Sequence, residues 1–442
     1  MAVCSRGNGT FPVTPVIGRL VDIAWSRRLL SRNKPGAGVA AAGASGRDMP
    51  DQPDTPCPDA LRRVALPRDD AFPHRAEALG FGFHSPDGRE YWARDACYVL
   101  RATVAERMAL AARELEQMIE AAADAVVQRG DYQGFGFSPR LMALVEASHR
   151  AAEPSLYGRF DFRLAADGGL KLYEFNAETP AALLEAAVVQ LAWFEQATGL
   201  PAGAEQWNAI DDALVARWPA MGLPHQVYFA AERDREDEIA QVAYLMATAR
   251  AAGHAASFLP VDDISWHAQD GLVTPEGARL EACFKLYPWD WLDAEEGGWL
   301  LPRGGTRWIE PARRMLHANK AILAELWRMF PGHPLLLPAS LDRSAIDGAA
   351  IGKPALGLEG HGMTIEDAAS ADASTEMPEE LPPSPTIWQQ WAPLPAHDAG
   401  GVPAYPVMGV WSVGGEPCGL GIREGDGLVT TLEDRFVPHI LL

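Results

Sequence analysis

Three things are scarce in this chain. Its 442 residues hold five cysteines, Cys4, Cys57, Cys97, Cys283 and Cys418, an odd and widely spaced set without a CxxC pair. That points to neither a disulfide framework nor a zinc knuckle, and a reducing compartment is the expectation. Long apolar runs are missing as well. Stretches such as Ala181–Ala187 fall well short of the roughly 20 residues that cross a bilayer, so no membrane partner is expected. Positive charge is in deficit, with 38 Lys+Arg against 59 Asp+Glu and a formal net charge of −21. Nucleic acid is a poor partner for such a chain, because its binding rests on Lys and Arg neutralising phosphates. There is no internal repeat, no GxxxxGK[ST] loop and no strand–GxGxxG–helix fingerprint. A soluble, cytoplasmic protein is the expectation.

What remains is ordinary globular stock, 48% hydrophobic and 22% charged, which is enough to bury a sizeable core. At roughly 150 residues per domain, the length allows two or three domains or one composite unit. Residues 1–60 differ in kind. Met1–Arg47 carries seven basic residues and one acid, Asp22, and runs into the small-residue stretch Gly36–Gly46. This is expected to be a disordered or mis-started extension, with a transit peptide as the alternative. The folded region is expected at 61–442, with an acidic, Pro-rich surface insertion at 368–385.

Apolar residues recurring every three or four positions predict an amphipathic helix over Thr103–Gln128. Pro180–Gln196 reads as a nearly all-apolar, buried helix. Strands are expected at Gln226–Ala230, Ser257–Val261 and Ala282–Tyr287, with helices at Glu236–Ala251 and Arg313–Phe330. This alternation indicates an α/β fold. Pro406–Val413 and Pro417–Glu424 read as strands flanking Gly414-Gly415.

The segments Arg159–Ala165 and Leu170–Asn176 alternate at period two around Ala166-Asp167-Gly168-Gly169, a turn-forming set, which predicts a hairpin. Centred on that turn, Asp161 lies opposite Glu174 and Arg159 opposite Asn176, all on one face. Phe160 then faces Phe175, and Phe162 faces Tyr173, on the other. Opposed carboxylates persist when exposed, when one is protonated, or when a cation lies between them. Two readings stand at this point: a solvated strand face with an Arg–Asp pair, or a Mg²⁺ site of two carboxylates and an amide.

Lys353 falls on an expected short strand, Ala349–Pro354, ahead of Gly357, Glu359, Gly360 and Gly362 in a glycine-rich loop whose N–H groups can close over phosphate. An ordinary mobile turn is the alternative. Lys320 falls on the expected helix, where most lysines are solvated. Arg423 lies among small residues that permit close approach of a ligand. Gln389, Gln390 and Trp391 end a strand whose backbone is available to an adenine edge.

Taken in order, these pieces resemble the glutathionylspermidine synthase family of ATP-grasp ligases. The matches include Arg159-Phe160-Asp161-Phe162, Tyr173-Glu174-Phe175-Asn176-Ala177-Glu178-Thr179-Pro180 and Phe284-Lys285-Leu286-Tyr287-Pro288-Trp289-Asp290-Trp291. They continue through Asn319-Lys320-Ala321, the Lys353 strand, Gly421-Ile422-Arg423-Glu424 and Arg435-Phe436-Val437-Pro438-His439. The resemblance implies an ATP-grasp-like fold with pre-ATP-grasp elements and a mobile glycine-rich lid. It further implies ATP and Mg²⁺ as cofactors, with Asp161, Glu174 and Asn176 as metal ligands. Lys320, Lys353, the Gly357–Gly362 loop and Gln389–Trp391 would contact nucleotide. Arg159 and Arg423 would serve the transferred phosphoryl group, and Thr179, Trp289 and Asp290 the substrate. The implied reaction joins a small acid or peptide to an amine, such as a polyamine, through an acyl phosphate. A non-catalytic ATP-binding module and an ATP-dependent kinase are the alternatives. No segment resembles the amidase region of bifunctional members, so hydrolysis of the product is not expected. The sequence leaves the oligomeric state open.

Overall fold

Four short apolar strands form a parallel sheet in the order Arg307–Ile309, Ala282–Lys285, Gln226–Ala231, Ala255–Pro260. Parallel sheets need cover on their faces. The helix Glu236–Ala251 supplies it and is buried without interruption from Ile239 to Ala249. The computed structural model describes residues 60–368, 375–376, 384–431 and 433–442. The expected N-terminal extension therefore lies, but for Ala60, outside the described residues, as does most of the acidic insertion.

The long antiparallel sheet runs Arg435–Phe436, Glu416–Gly425, Pro403–Val413, Tyr157–Leu164, Leu170–Asn176. A second antiparallel sheet runs Ala339–Ser340, Thr386–Gln390, Ala350–Pro354, Thr364–Glu366. The helix Ala102–Arg129 buries Val104, Met108, Ala111, Leu115 and Met118, the stripe its spacing predicts, and is stopped by Gly130 at φ 63°. The result is the mixed α/β architecture expected.

Four local expectations need correction. The single helix over Arg313–Phe330 is two, Arg314–Ala318 and Ala321–Met329. Asn319 breaks it: its Oδ1 accepts the Ala321 N–H at 2.9 Å, as an N-cap does, while its Nδ2 donates to Phe135 O at 2.9 Å. The helix expected from Pro180 has no helical turn before Leu183, and a π turn occupies Glu185–Val189. Gln241 holds its entry, accepting from Leu183 N at 3.2 Å and donating to Pro180 O at 2.9 Å. The strand from Ala282 ends at Lys285 rather than Tyr287. Within the hairpin the register slips after Asp161, so Phe162 faces Leu172 and not Tyr173. The Leu172 N–H donates outward to Leu335 O at 2.8 Å, which leaves Tyr173 as the extra residue of a bulge.

Candidate active site

Up to the bulge the pairing is the one expected, Arg159 opposite Asn176 and Asp161 opposite Glu174. Arg159 grips Asp161 with a two-pronged contact, Nε–Oδ1 2.6 Å and Nη2–Oδ2 2.8 Å. Asn176 Nδ2 lies between the carboxylates, donating to Asp161 Oδ2 at 3.0 Å and Glu174 Oε1 at 3.3 Å. This is no solvated face: Asp161 is only 8% exposed.

The break at Asn319 takes Lys320 off the helix and into this cluster. Its Nζ stands 3.4 Å from Glu174 Oε2 and donates to Gly357 O at 2.6 Å. Lys353 arrives from the neighbouring sheet and donates to Tyr173 O at 3.0 Å, the carbonyl that the bulge turns outward. Burial pushes the Glu174 carboxyl up, but Lys320, Lys353 and Arg159 outweigh it and hold the group at about 2. Asp161 is raised by burial despite Arg159. Burial brings Lys353 down to about 8, against the pull of Glu174.

The donor set suits a hard divalent cation. Asp161 and Glu174 supply carboxylate oxygens from facing strands, and rotating the Asn176 amide exchanges its donor end for Oδ1. Such an ion would relieve the facing carboxylates, Asp161 buried and Glu174 half-buried, now neutralised only from the flanks by Arg159, Lys320 and Lys353.

A pocket opens beside Asp161, lined by Arg159, Arg423, Gly409, Gly421, Trp411 and Phe436 among others. A Cβ at Gly409 would stand 2.9 Å from Arg159 Cδ, so glycine is what lets that side chain lie across the sheet. Arg423 donates to Thr431 O at 2.6 Å, and its Nε is buried with no partner among the described residues. The glycine-rich loop lies over this region. Glu359 and Gly360 adopt φ 56° and 75°, and a Cβ on Gly360 would overlap the Thr430 carbonyl oxygen. Gly362 N donates to Glu376 O at 3.2 Å, and Glu359 lies 3.8 Å from Arg235.

Other expected site residues fare differently. Gln389 is buried on the hairpin, with Nε2 donating to Leu172 O at 3.2 Å and Oε1 unpartnered among the described residues. The N–H groups of Gln390 and Trp391 donate to Pro338 O and Ala349 O, which leaves their carbonyls as the backbone groups to meet an adenine edge. Trp289 is a core residue, 1% exposed, its indole donating to Glu310 O at 3.1 Å. Asp290 is half-buried, its carboxyl raised to about 7 by burial and by Glu178. Thr179 is half-buried in the turn that follows Asn176.

One feature was missed at the sequence level: the buried pair of Lys285 and Glu178 at 2.9 Å, directly after the hairpin. Its signal was scarcity, for the chain has only five lysines, Lys34, Lys171, Lys285, Lys320 and Lys353. Three of them, Lys285, Lys320 and Lys353, are buried at or behind the cluster. Elsewhere Glu116, Glu120 and His317 could together approach a metal. Arg313 and Arg314 already neutralise those carboxylates, and Arg314 donates to His317 Nδ1 at 2.8 Å, leaving the ring proton on Nε2. That cluster is structural. Cys97 and Cys283 are free thiols pushed by burial to about 11 and 12, which makes them poor nucleophiles. Among the described residues, no helix is long and apolar enough to cross a membrane.

The family described as glutathionylspermidine synthase preATP-grasp matches residues 63–442. A Haemophilus influenzae protein named as an acid–amine ligase is 36% identical over 379 residues, covering 82% of this chain and 94% of its own. The Crithidia fasciculata trypanothione synthetase is 23% identical, over 73% of this chain and 52% of its own. The bifunctional glutathionylspermidine synthetase/amidase of Escherichia coli is 24% identical, over 78% and 59%. This chain thus spans little more than half of those two longer relatives. A glutathione synthetase-like effector from Globodera pallida shares the fold, with TM-score 0.50 and 9% identity over 78% of this chain and 89% of that one. An ATP-grasp-type α/β fold, a family match over nearly the whole described region and relatives named as ligases or synthetases converge: the chain is a ligase of the glutathionylspermidine synthase preATP-grasp family.

Proposed function

We propose that this chain joins a carboxylic acid to an amine at the expense of ATP, with Mg²⁺, through an acyl phosphate. The observation that carries the proposal is the facing pair Asp161 and Glu174, bridged by Asn176 and flanked by Lys320 and Lys353. Asp161, Glu174 and Asn176 would hold Mg²⁺, which when bound neutralises phosphate charge. Lys320, Lys353 and the Gly357–Gly362 loop would hold the nucleotide phosphates.

The chemistry needs positioning and charge more than a protein nucleophile. The acid's carboxylate oxygen attacks the γ-phosphorus, releasing ADP. The amine nitrogen then attacks the acyl carbon, loses one proton and expels phosphate, leaving the amide. Arg159 and Arg423 line the pocket beside Asp161 and would bear on the oxygens that gain charge in both steps. The net charge of −21 would raise the local concentration of a cationic amine, a polyamine included.

The test is ADP release by purified protein with Mg·ATP, screened against glutathione and other small peptides crossed with spermidine and other amines. Release that requires both an acid and an amine is expected. Release with the acid alone would make the protein a kinase, and nucleotide binding without turnover across the screen would make it a binding module.

A further inference from the structure

Lysine is used sparingly here, five residues against 33 arginines, so a lysine in the interior invites a reason. Lys285 is 1% exposed, at the end of the strand Ala282–Lys285 in the parallel sheet. Its Nζ donates to Glu178 Oε1 at 2.9 Å and to Tyr287 O at 2.8 Å, and lies 4.6 Å from the Trp289 ring centre. Glu178 Oε1 accepts a second hydrogen bond from the Trp289 backbone N–H at 2.5 Å. The residue before it, Ala177, accepts from Arg314 Nε at 3.3 Å. One carboxylate, two residues beyond Asn176, therefore ties the end of the hairpin to a different sheet and to the start of the helix Trp289–Ala294.

The Lys285 ammonium is already engaged by Glu178, the Tyr287 carbonyl and the Trp289 ring, and stability is a weak reason to keep such a pair. Replacing a buried ion pair by apolar residues of similar size is often neutral or stabilising. What an apolar pair cannot supply is direction: three hydrogen bonds converging on one turn set where Asn176 points.

We infer that the Lys285–Glu178 pair is a positioning device for the cation site, holding the turn after Asn176 so that its amide meets Asp161 and Glu174. The inference rests on the reading of those three residues as metal ligands. Groups behind metal ligands commonly change metal affinity 10- to 100-fold when removed.

The experiment is a Mg²⁺ titration of binding of the non-hydrolysable analogue AMP-PNP, followed by calorimetry, with thermal unfolding of every variant alongside. Glu178→Ala should raise the half-saturating Mg²⁺ concentration about tenfold or more. Glu178→Gln keeps an acceptor for Lys285 and for the Trp289 N–H, and should stay within about threefold of wild type. The double variant Lys285→Met/Glu178→Leu distinguishes position from stability. It should melt near wild type yet keep the raised Mg²⁺ requirement, since the hydrogen bonds are gone. Wild-type Mg²⁺ dependence in the double variant or in Glu178→Ala would overturn the inference. So would a Mg²⁺ requirement that merely tracks melting temperature across the set. If the double variant does not fold, the Glu178→Ala and Glu178→Gln pair decides. Absence of Mg²⁺-dependent binding in the wild type would instead remove the metal site itself, and with it the proposed function.

Discussion

Lys353→Met separates a lysine kept for stability from one kept for a ligand. Burial brings the Lys353 ammonium from 10.5 to about 8, and the residue is 4% exposed. At pH 7 the ammonium is charged in both folded and unfolded chains, and a fall from 10.5 to about 8 corresponds to about 3 kcal/mol of cost to the fold. Methionine removes that charge at similar size, while the Tyr173 carbonyl loses a hydrogen bond, an offset of about 1 kcal/mol. The variant without ligand should therefore be more stable at pH 7 by about 2 kcal/mol, a few degrees in a chain of this size. The sign with pH follows from proton counts. Below about pH 8 the full cost is present in the wild type. Between about 8 and 10.5 the unfolded chain holds one more proton than the native one, so wild-type stability rises with pH and the variant's advantage shrinks. Thermal unfolding at pH 7 and at pH 10.5, each with and without Mg·ATP, measures both effects. Alongside its gain at pH 7, the variant should lose most of the nucleotide-induced stabilisation. A variant that is destabilised at pH 7 and keeps that stabilisation would refute the reasoning.

Further outcomes follow from the same contacts. Asp161→Asn and Glu174→Gln should each abolish Mg²⁺-dependent ATP turnover with circular dichroism unchanged; turnover at the wild-type rate in either would remove that residue from the site. Glu174→Gln also leaves Lys320 and Lys353 without their carboxylate, so its urea midpoint at pH 7 should fall, by an amount that shrinks as pH drops towards 2, where the native carboxyl itself takes a proton. Asn319→Ala removes the cap of the helix Ala321–Met329, costing about 1 kcal/mol. Because the cap also sets where Lys320 leaves the helix, nucleotide affinity should fall with it, and an unchanged affinity would separate the two. Gly360→Ala must place a side chain at φ 75° against the Thr430 carbonyl; KM for ATP should rise at least several-fold while the melting temperature moves little.

Much of the site was legible locally. Centring the hairpin on Asp167-Gly168 places Arg159 opposite Asn176 and Asp161 opposite Glu174, as observed, but beside the turn Arg163 faces Lys171 and Leu164 faces Leu170, one residue off that register, so the expected pairs meet only because the bulge takes up the difference. The helix Ala102–Arg129 was legible from a repeat in step with the helical turn. What failed were positions where a distant group competes for a backbone donor or acceptor. The Leu172 N–H is taken by Leu335, which makes the bulge, and Asn319 caps a new helix while bonding Phe135.

Those same competitions decide the chemistry. The bulge turns the Tyr173 carbonyl towards Lys353, and the break at Asn319 delivers Lys320 to Glu174. Which residues share a face of each strand is written in their local alternation. Bringing Lys320 and Lys353 to Glu174, and Lys285 to Glu178, requires chain segments more than a hundred residues apart to pack together. That convergence belongs to the packing of three sheets, where burial gives each charge its partner.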